Sequence, residues 1–353
     1  MLDVLRAGTV IPAHPLALTA ERAFDERRQA ALTRYYLAAG AGGLAVGVHT
    51  TQFEIRQAGL LEPVLRLAAD VARETRPTGE ARSTEAGREA RPAEAGGEGR
   101  SAAGPVLIAG ACGPVAQAVA EAELAASLGY HAVLLSPVVP GASEADLLAR
   151  AAAVGEVLPV VGFYLQTAIG GPELSRAFWR DLAAQPSTVA IKVAAFDRYR
   201  SLDVAHGVAA SDRAGQVALY TGNDDHIIAD LLADLPGGLR FAGGLLGQWA
   251  VWTKAAVDLV ADLERNPALW ARRASALTDA NSAVFDTAHA FRGCIAGVHE
   301  VLRRQGLLAG TWCLDPAEGL SPGQAEELTR VAAAYPWLTD DAFVAEHLDE
   351  WLR

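Results

Sequence analysis

Short apolar runs alternate with longer amphipathic stretches through most of this 353-residue chain, and this alternation limits the fold more than any other feature. Runs rich in Val, Ile and Leu predict buried parallel strands, and apolar residues that recur every three or four positions predict helices between them. Eight strand candidates lie at 9–16, 43–48, 106–111, 132–136, 160–164, 189–194, 217–221 and 239–242. This pattern is typical of an α/β fold in which eight strands close into a (β/α)8 TIM barrel.

Two segments depart from the barrel pattern, which spans residues 1–247. Residues 248–353 are helical in pattern throughout, so we predict a C-terminal helical appendage packed on the barrel. Residues 74–104 contain no aromatic residue and no aliphatic side chain larger than that of alanine. Such a segment cannot bury enough apolar surface to offset the entropy lost on ordering, which predicts a disordered insertion.

Charge and cysteine usage exclude several classes of protein. The net charge is −12 and the basic residues are scattered, which argues against a nucleic-acid partner. The sequence contains no run of about 18 apolar residues, which a membrane-spanning helix would need. The three cysteines, Cys112, Cys294 and Cys313, have no paired spacing. We therefore expect a cytoplasmic protein that contacts neither membrane nor nucleic acid.

Lysine is scarce in this chain. Of 30 basic residues, only Lys192 and Lys254 are lysine, and the rest are arginine. Arginine stays protonated and cannot replace lysine as an amine nucleophile. The scarcity therefore draws attention to amine chemistry, although codon bias explains it equally well, and we interpret Lys254 as incidental.

Lys192 lies in the middle of an apolar strand candidate. Strand side chains alternate, so Lys192 is predicted to point into the barrel lumen with Ala190 and Ala194, while the branched residues between them face the helices. Burial disfavours the ammonium form and lowers the pKa, as a nucleophilic amine requires. A lysine in a buried ion pair, or one whose amine reaches solvent, fits the same pattern.

Tyr164 ends the preceding strand candidate. The same alternation predicts that Gly162 and Tyr164 point inward and that Val161 and Phe163 point outward. A phenol at the carboxyl end of a barrel strand can donate or accept the proton that imine chemistry needs. A tyrosine in such a place also serves as a core or rim residue.

Four motifs of the chain carry a resemblance to a known family. Tyr164 precedes Lys192 by 28 residues, 47–51 reads Gly-Val-His-Thr-Thr, 106–110 reads Val-Leu-Ile-Ala-Gly, and 221–225 reads Thr-Gly-Asn-Asp-Asp. In this order they resemble the catalytic tyrosine and lysine, the carboxylate-binding turn, the third strand and the Gly-Asp-Asp turn of the dihydrodipicolinate synthase/N-acetylneuraminate lyase family of class I aldolases. The resemblance covers nearly the whole chain outside 74–104.

The resemblance implies a Schiff-base lyase that acts on a 2-oxo acid such as pyruvate. Lys192 would condense with the keto group and Tyr164 would carry the proton. Thr50 and Thr51 would hold the carboxylate through hydroxyl and backbone N–H groups. His49 and Gly222 would complete the substrate site, without metal or organic cofactor. The family also implies a homodimer or homotetramer.

Three departures from the family pattern indicate a divergent paralogue. Val138 and Val139 replace a tyrosine pair of the synthases, and residues 165–171 lack the arginine that binds the carboxylate of their second substrate. In the turn after the second strand, Gln52 and Phe53 replace a glycine and a glutamate. The second substrate is therefore expected to be less acidic and more apolar than that of the synthases.

Two alternative functions remain open at this point. One is a metal-dependent barrel lyase that uses His49, Glu54, Asp224 and His226, although no short metal-binding spacing supports it. The other is a barrel that binds a 2-oxo acid and is catalytically impaired. We interpret the polar run at 223–225 as helix N-caps rather than ligands.

Overall fold

The eight predicted strands are present in the computed structural model, which describes residues 2–75 and 104–353. The strands are β1 (Val10–Pro12), β2 (Gly43–Val46), β3 (Val106–Ala111), β4 (Ala132–Leu135), β5 (Val160–Leu165), β6 (Thr188–Ala194), β7 (Ala218–Thr221) and β8 (Phe241–Leu246). They form one parallel sheet in the order β1-β8-β7-β6-β5-β4-β3-β2. A parallel bridge between Ala13 and Ala45 brings β1 to β2, so the sheet closes into the predicted barrel.

Strand β8 shows the largest shift from its predicted position, because it continues through two glycines to Leu246. Glycine pairs usually indicate a loop. Here a Cβ on Gly243 would lie 2.2 Å from the backbone oxygen of Thr9. Only glycine allows this close approach of the neighbouring backbone. Gly243, which the sequence placed just after the strand, is therefore required inside it.

Helices follow the strands around the outside of the barrel and then continue to the end of the chain. They are α1 (Leu2–Ala7), α2 (Glu26–Ala39), α3 (Leu61–Glu74), α4 (Val115–Ser127), α5 (Glu144–Gly155), α6 (Arg176–Ala184), α7 (Arg198–Ala209), α8 (Ile227–Leu232), α9 (Thr253–Leu263), α10 (Pro267–Val284), α11 (Cys294–Arg304), α12 (Gln324–Ala334) and α13 (Asp341–Trp351). Polar caps fix some of their starts: the side chain of Asp197 accepts the N–H groups of Tyr199 and Arg200 at α7. Among the described residues, no helix is long and apolar enough to cross a membrane.

The core has two layers, one between strands and helices and one inside the barrel. Inner-face residues such as Ile108, Leu134 and Ala190 form a cluster in the lumen. Helix α1 contributes Leu5 to this cluster, and the hydroxyl of Tyr220 donates to the Leu5 oxygen over 2.9 Å. The lumen is thus a packed core, and the fold places functional sites at the carboxyl ends of the strands.

The C-terminal helices pack on the barrel as predicted. Helix α13 packs against α2, and α10 packs against α8. The buried hydroxyl of Tyr35 donates to the Asp340 carboxylate over 2.7 Å and ties α2 to the C-terminal region. A domain boundary at residue 247 stays a prediction. The predicted insertion at 74–104 lies almost entirely outside the described residues.

Candidate active site

A cavity that is partly open to solvent lies where the strands end. Its lining comes from two parts of the chain. The helical wall, which belongs to the C-terminal helical region, consists of Phe285, Phe291, Cys294 and Glu318. The strand wall, from the barrel strands and the loops after them, consists of Ala13, Val48, His49, Thr50, Leu134, Phe163, Leu165, Gln166, Ile169, Lys192, Ala194, Phe196, Gly222, Asp224 and Gly247.

Lys192 points into the cavity, as its strand alternation predicted, and is only 9% exposed. Its Nζ lies 4.7 Å from the centre of the Phe163 ring. A Cβ on Gly222 would lie 2.6 Å from Lys192 Cε, so the glycine makes room for the lysine side chain. Burial lowers the pKa of Lys192 to about 8, and the negative charge of Asp224 opposes this shift. An appreciable fraction of the amine is therefore neutral near pH 7.

Asp224 is the acidic group of the strand wall, and its interpretation as an N-cap is wrong. Its Oδ1 accepts the N–H of Gln248 over 2.9 Å, and helix α8 instead begins after His226 without a side-chain cap. Burial raises the pKa of Asp224 to about 7, although Gln248 and Lys192 both favour the carboxylate. Asn281 donates to the backbone oxygen of Asp224 over 2.5 Å, so helix α10 helps to position this residue.

The predicted inward orientation of Tyr164 is wrong. Tyr164 packs in the outer layer, with its ring 5.2 Å from that of Trp179 on α6, and it does not line the cavity. Phe163 takes the inward position, because Phe163 rather than Tyr164 pairs with Lys192 across β5 and β6. The structure therefore does not bring Tyr164 and Lys192 together, and a catalytic role for Tyr164 stays a prediction that this packing does not support.

Thr50 and Thr51 are close to the cavity, but their hydroxyl groups already have partners. Thr50 Oγ1 donates to the Ala13 oxygen over 2.8 Å, and Thr51 Oγ1 donates to the His14 oxygen over 2.6 Å. Each hydroxyl has a single proton, which these bonds use. Thr50 lines the cavity and Thr51 does not. The two side chains thus brace the turn against the end of β1.

His49 lines the cavity at the start of the same turn. Burial, and secondarily the charge of Lys192, lowers the pKa of His49 to about 4. The imidazole is therefore neutral at physiological pH and supplies a hydrogen-bonding group rather than a charge.

Glu318 and Cys294 are cavity residues that the sequence did not reveal. Burial, and then the charge of Glu54, raises the pKa of Glu318 to about 7. Burial also raises the pKa of the Cys294 thiol, which keeps it protonated. Both residues lie in the helical C-terminal region, where no local pattern distinguishes a cavity residue from a packing residue.

The metal-dependent alternative finds no ligand set in residues 2–75 and 104–353. No three His, Cys, Asp or Glu side chains of these residues lie close enough together to hold a metal ion. Of its four proposed ligands, only His49 and Asp224 line the cavity.

The chain is similar to known proteins in structure but not detectably in sequence. No protein-family model and no curated protein sequence matches the chain. Among solved structures, dihydrodipicolinate synthase from Oceanobacillus iheyensis is 17% identical, with a TM-score of 0.73, and the match covers 95% of this chain and 99% of that one. YagE from E. coli K12, a prophage protein of the dihydrodipicolinic acid synthase family in complex with pyruvate, is 18% identical with a TM-score of 0.73 and coverages of 94% and 99%.

N-acetylneuraminate lyase from Fusobacterium nucleatum, complexed with pyruvate, matches with 15% identity, a TM-score of 0.70 and coverages of 94% and 98%. Structures of both enzyme types named in the sequence resemblance therefore match nearly the whole chain. Because the identities are below 20%, these matches show only that the chain shares the fold of these proteins.

Proposed function

We propose that this protein is a Schiff-base lyase that acts on a 2-oxo acid such as pyruvate, with Lys192 as the nucleophile. The proposal rests on one observation: Lys192 is a buried amine with a lowered pKa that points into the cavity. Of the described residues that line the cavity, Lys192 and His49 are the only basic ones, and His49 is neutral at physiological pH. Burial lowers the pKa of Lys192, and the neighbouring glycine leaves its amine free to reach a substrate. The pyruvate complexes of YagE and the Fusobacterium lyase support the choice of substrate.

The amine of Lys192 attacks the keto carbon and forms a carbinolamine, which loses water to give an iminium ion. The iminium ion withdraws electrons from the adjacent carbon, so that a proton is lost there or a C–C bond is made or broken. Asp224, whose pKa lies at about 7, is the group best suited to protonate the departing hydroxyl and then to accept a carbon-bound proton. In this mechanism Asp224 takes the role that the sequence suggested for Tyr164.

The substrate carboxylate would bind at the turn that begins with His49. Because the hydroxyls of Thr50 and Thr51 donate elsewhere, we infer that backbone N–H groups serve this purpose. The N–H groups of His49 and Thr50 precede the first hydrogen bond of the turn, from Thr51 N to Val48 O. The imidazole of His49 would add a side-chain hydrogen bond.

Reduction with borohydride in the presence of pyruvate tests the proposal. The wild-type protein should gain a covalent adduct on Lys192, detected by intact mass and peptide mapping. Lys192→Arg should gain none, because guanidinium is not nucleophilic at neutral pH. Lys254→Arg is the matched control and should retain the adduct, since Lys254 is 36% exposed and pairs with Asp258 on α9.

Two other results would overturn the proposal. Pyruvate binding without an adduct in the wild-type protein would indicate an impaired, binding-only barrel. Activity that chelators abolish, again without an adduct, would favour the metal-dependent alternative. We further propose a homodimer or homotetramer in the cytoplasm, and gel filtration would test the oligomeric state.

A further inference from the structure

We infer that the second substrate is an uncharged aromatic aldehyde that packs against the rings of Phe196 on the strand wall and of Phe285 and Phe291 on the helical wall. This inference rests on the proposed lyase function and specifies the partner that reacts with the 2-oxo acid. The three rings line the same cavity as Lys192. The rings of Phe196 and Phe291 contact edge to face, with centres 6.0 Å apart and planes at 85°.

Two of these phenylalanines have a strained backbone conformation that hydrogen bonds hold in place. Phe196 has a φ of 51° and Phe291 a φ of 64°, in the left-handed region that disfavours large side chains. Such conformations are unfavourable and persist where the surrounding structure enforces them. The side chain of Asn223 accepts the N–H of Phe196 over 2.9 Å. The Phe291 N–H donates to the Asp286 oxygen over 3.0 Å.

Asp286 anchors the loop that carries Phe291. Its carboxylate accepts three hydrogen bonds: from Nδ1 of His289 over 2.6 Å, from the hydroxyl of Ser321 over 2.5 Å and from the N–H of Gly293 over 3.0 Å. This carboxylate is 3% exposed. The loop is therefore braced on three sides, so the aromatic surface is preorganised and can bind a ring without first being ordered.

The charges of the cavity argue against an anionic partner. Of the described residues that line the cavity, only Lys192 can carry a positive charge near neutral pH. Its nitrogen forms the iminium ion with the first substrate, and the enamine that then attacks the aldehyde carries no charge on this nitrogen. The carboxyl groups among the described lining residues are those of Asp224 and Glu318, and each becomes negative when it ionises. No arginine lines the cavity among the described residues to bind a second carboxylate. A carboxylate on the aldehyde would meet apolar rings and like charge, whereas an aromatic ring packs well against phenylalanine edges.

The aldol step uses both walls of the cavity. The enamine carbon derived from the methyl group of pyruvate forms a bond to the aldehyde carbon, and the carbonyl π electrons move to the aldehyde oxygen. That oxygen takes the proton of the Glu318 carboxyl and becomes a hydroxyl group. Water then hydrolyses the new iminium ion, which releases a 4-hydroxy-2-oxo acid and the free Lys192 amine, and Glu318 regains a proton from solvent.

The test measures condensation of pyruvate with benzaldehyde, with para-carboxybenzaldehyde and with glyceraldehyde. Adduct formation with pyruvate alone is measured in parallel on each protein. We expect kcat/KM for benzaldehyde to exceed that for the other two by at least about tenfold. Phe291→Gly should lower the benzaldehyde value by about tenfold and leave the pyruvate adduct unchanged, because glycine accepts the positive φ without strain.

Phe343→Leu is the matched control. Phe343 packs against Trp351 on α13, away from the cavity, and its substitution should leave aldehyde selectivity unchanged. Phe291→Leu, which keeps a large apolar side chain and loses the aromatic edge, should give an intermediate value. A preference for the charged or the hydroxylated aldehyde, or an unchanged selectivity of Phe291→Gly, would overturn the inference while the Lys192 adduct upheld the lyase. Absence of the adduct would overturn both.

Discussion

The strand wall and the helical wall of the cavity differ in chemistry and in how they are held. The strand wall carries the amine of Lys192 and the carboxyl of Asp224, on elements whose backbones are fixed by the barrel. The helical wall carries Phe285, Phe291, Cys294 and Glu318, and the loop around Phe291 is held by side-chain hydrogen bonds. The difference suggests that the barrel supplies the imine chemistry and the C-terminal helices select the second substrate.

The two walls are nevertheless connected. Asn281 on α10 donates to the backbone oxygen of Asp224, and Thr278 on the same helix donates to that of Asp225 over 2.8 Å. Helix α10 leads directly into Phe285. Substitutions that act on only one wall therefore test whether the division of labour holds.

The largest effect is expected for Asp224→Asn on the strand wall. Loss of the proton carrier should slow formation of the pyruvate adduct by about 100-fold. The carboxylate raises the pKa of Lys192, so its removal should also shift the pH profile of adduct formation to lower pH. Rates of borohydride trapping as a function of pH measure both effects. Asp225→Asn, which changes a 40% exposed neighbour, is the control and should resemble the wild type.

Lys192→Met should stabilise the protein by about 3 kcal/mol at neutral pH, as the difference between its ordinary pKa of 10.5 and its folded pKa of about 8 suggests. Because the folded pKa, about 8, lies below the ordinary 10.5, the ammonium destabilises the fold fully below pH 8. This cost disappears as the pH rises towards 10.5. Urea unfolding at several pH values measures it. A gain that does not shrink at high pH would contradict the buried-ammonium explanation, and Lys254→Met should change stability by less than about 0.5 kcal/mol.

Glu318→Gln should separate the two walls more directly. Glutamine donates a hydrogen bond but no proton, so we expect condensation with benzaldehyde to slow by about tenfold. Formation of the pyruvate adduct on Lys192 should be unaffected. Single-turnover kinetics with preformed pyruvate adduct resolve the two steps. An equal loss in both would mean that Glu318 serves the strand-wall chemistry, and the proposed division would be wrong.

The smallest effect is expected for Tyr164→Phe. The phenol packs beside Trp179 outside the cavity, so adduct formation should change by less than about twofold. Trapping rates and circular dichroism melting measure activity and stability together. A loss near that of Asp224→Asn, with the fold intact, would return the proton-carrier role to Tyr164.

Strands β5 and β6 explain why one orientation was predicted correctly and the other was not. The lysine in β6 identifies the inner face of that strand, because an amine among apolar residues needs space and a polar partner. Strand β5 is buried on both faces, so its sequence does not show which of its two alternating sets of side chains points into the lumen. Val160 pairs with Thr188, and Val161 pairs with Ala190, so Val189 is the extra residue of a bulge. This one-residue shift places Phe163, and not Tyr164, beside Lys192.

The sequence by itself determined the eight strands, the C-terminal helices and the inward orientation of Lys192, because these depend on periodicities within a few neighbouring residues. Only the tertiary structure decided that Phe163 faces the amine, that Asp224 is a cavity acid and that Glu318 and Phe291 complete the cavity. These features depend on strand register and on contacts between residues far apart in the chain, for which local patterns carry no signal.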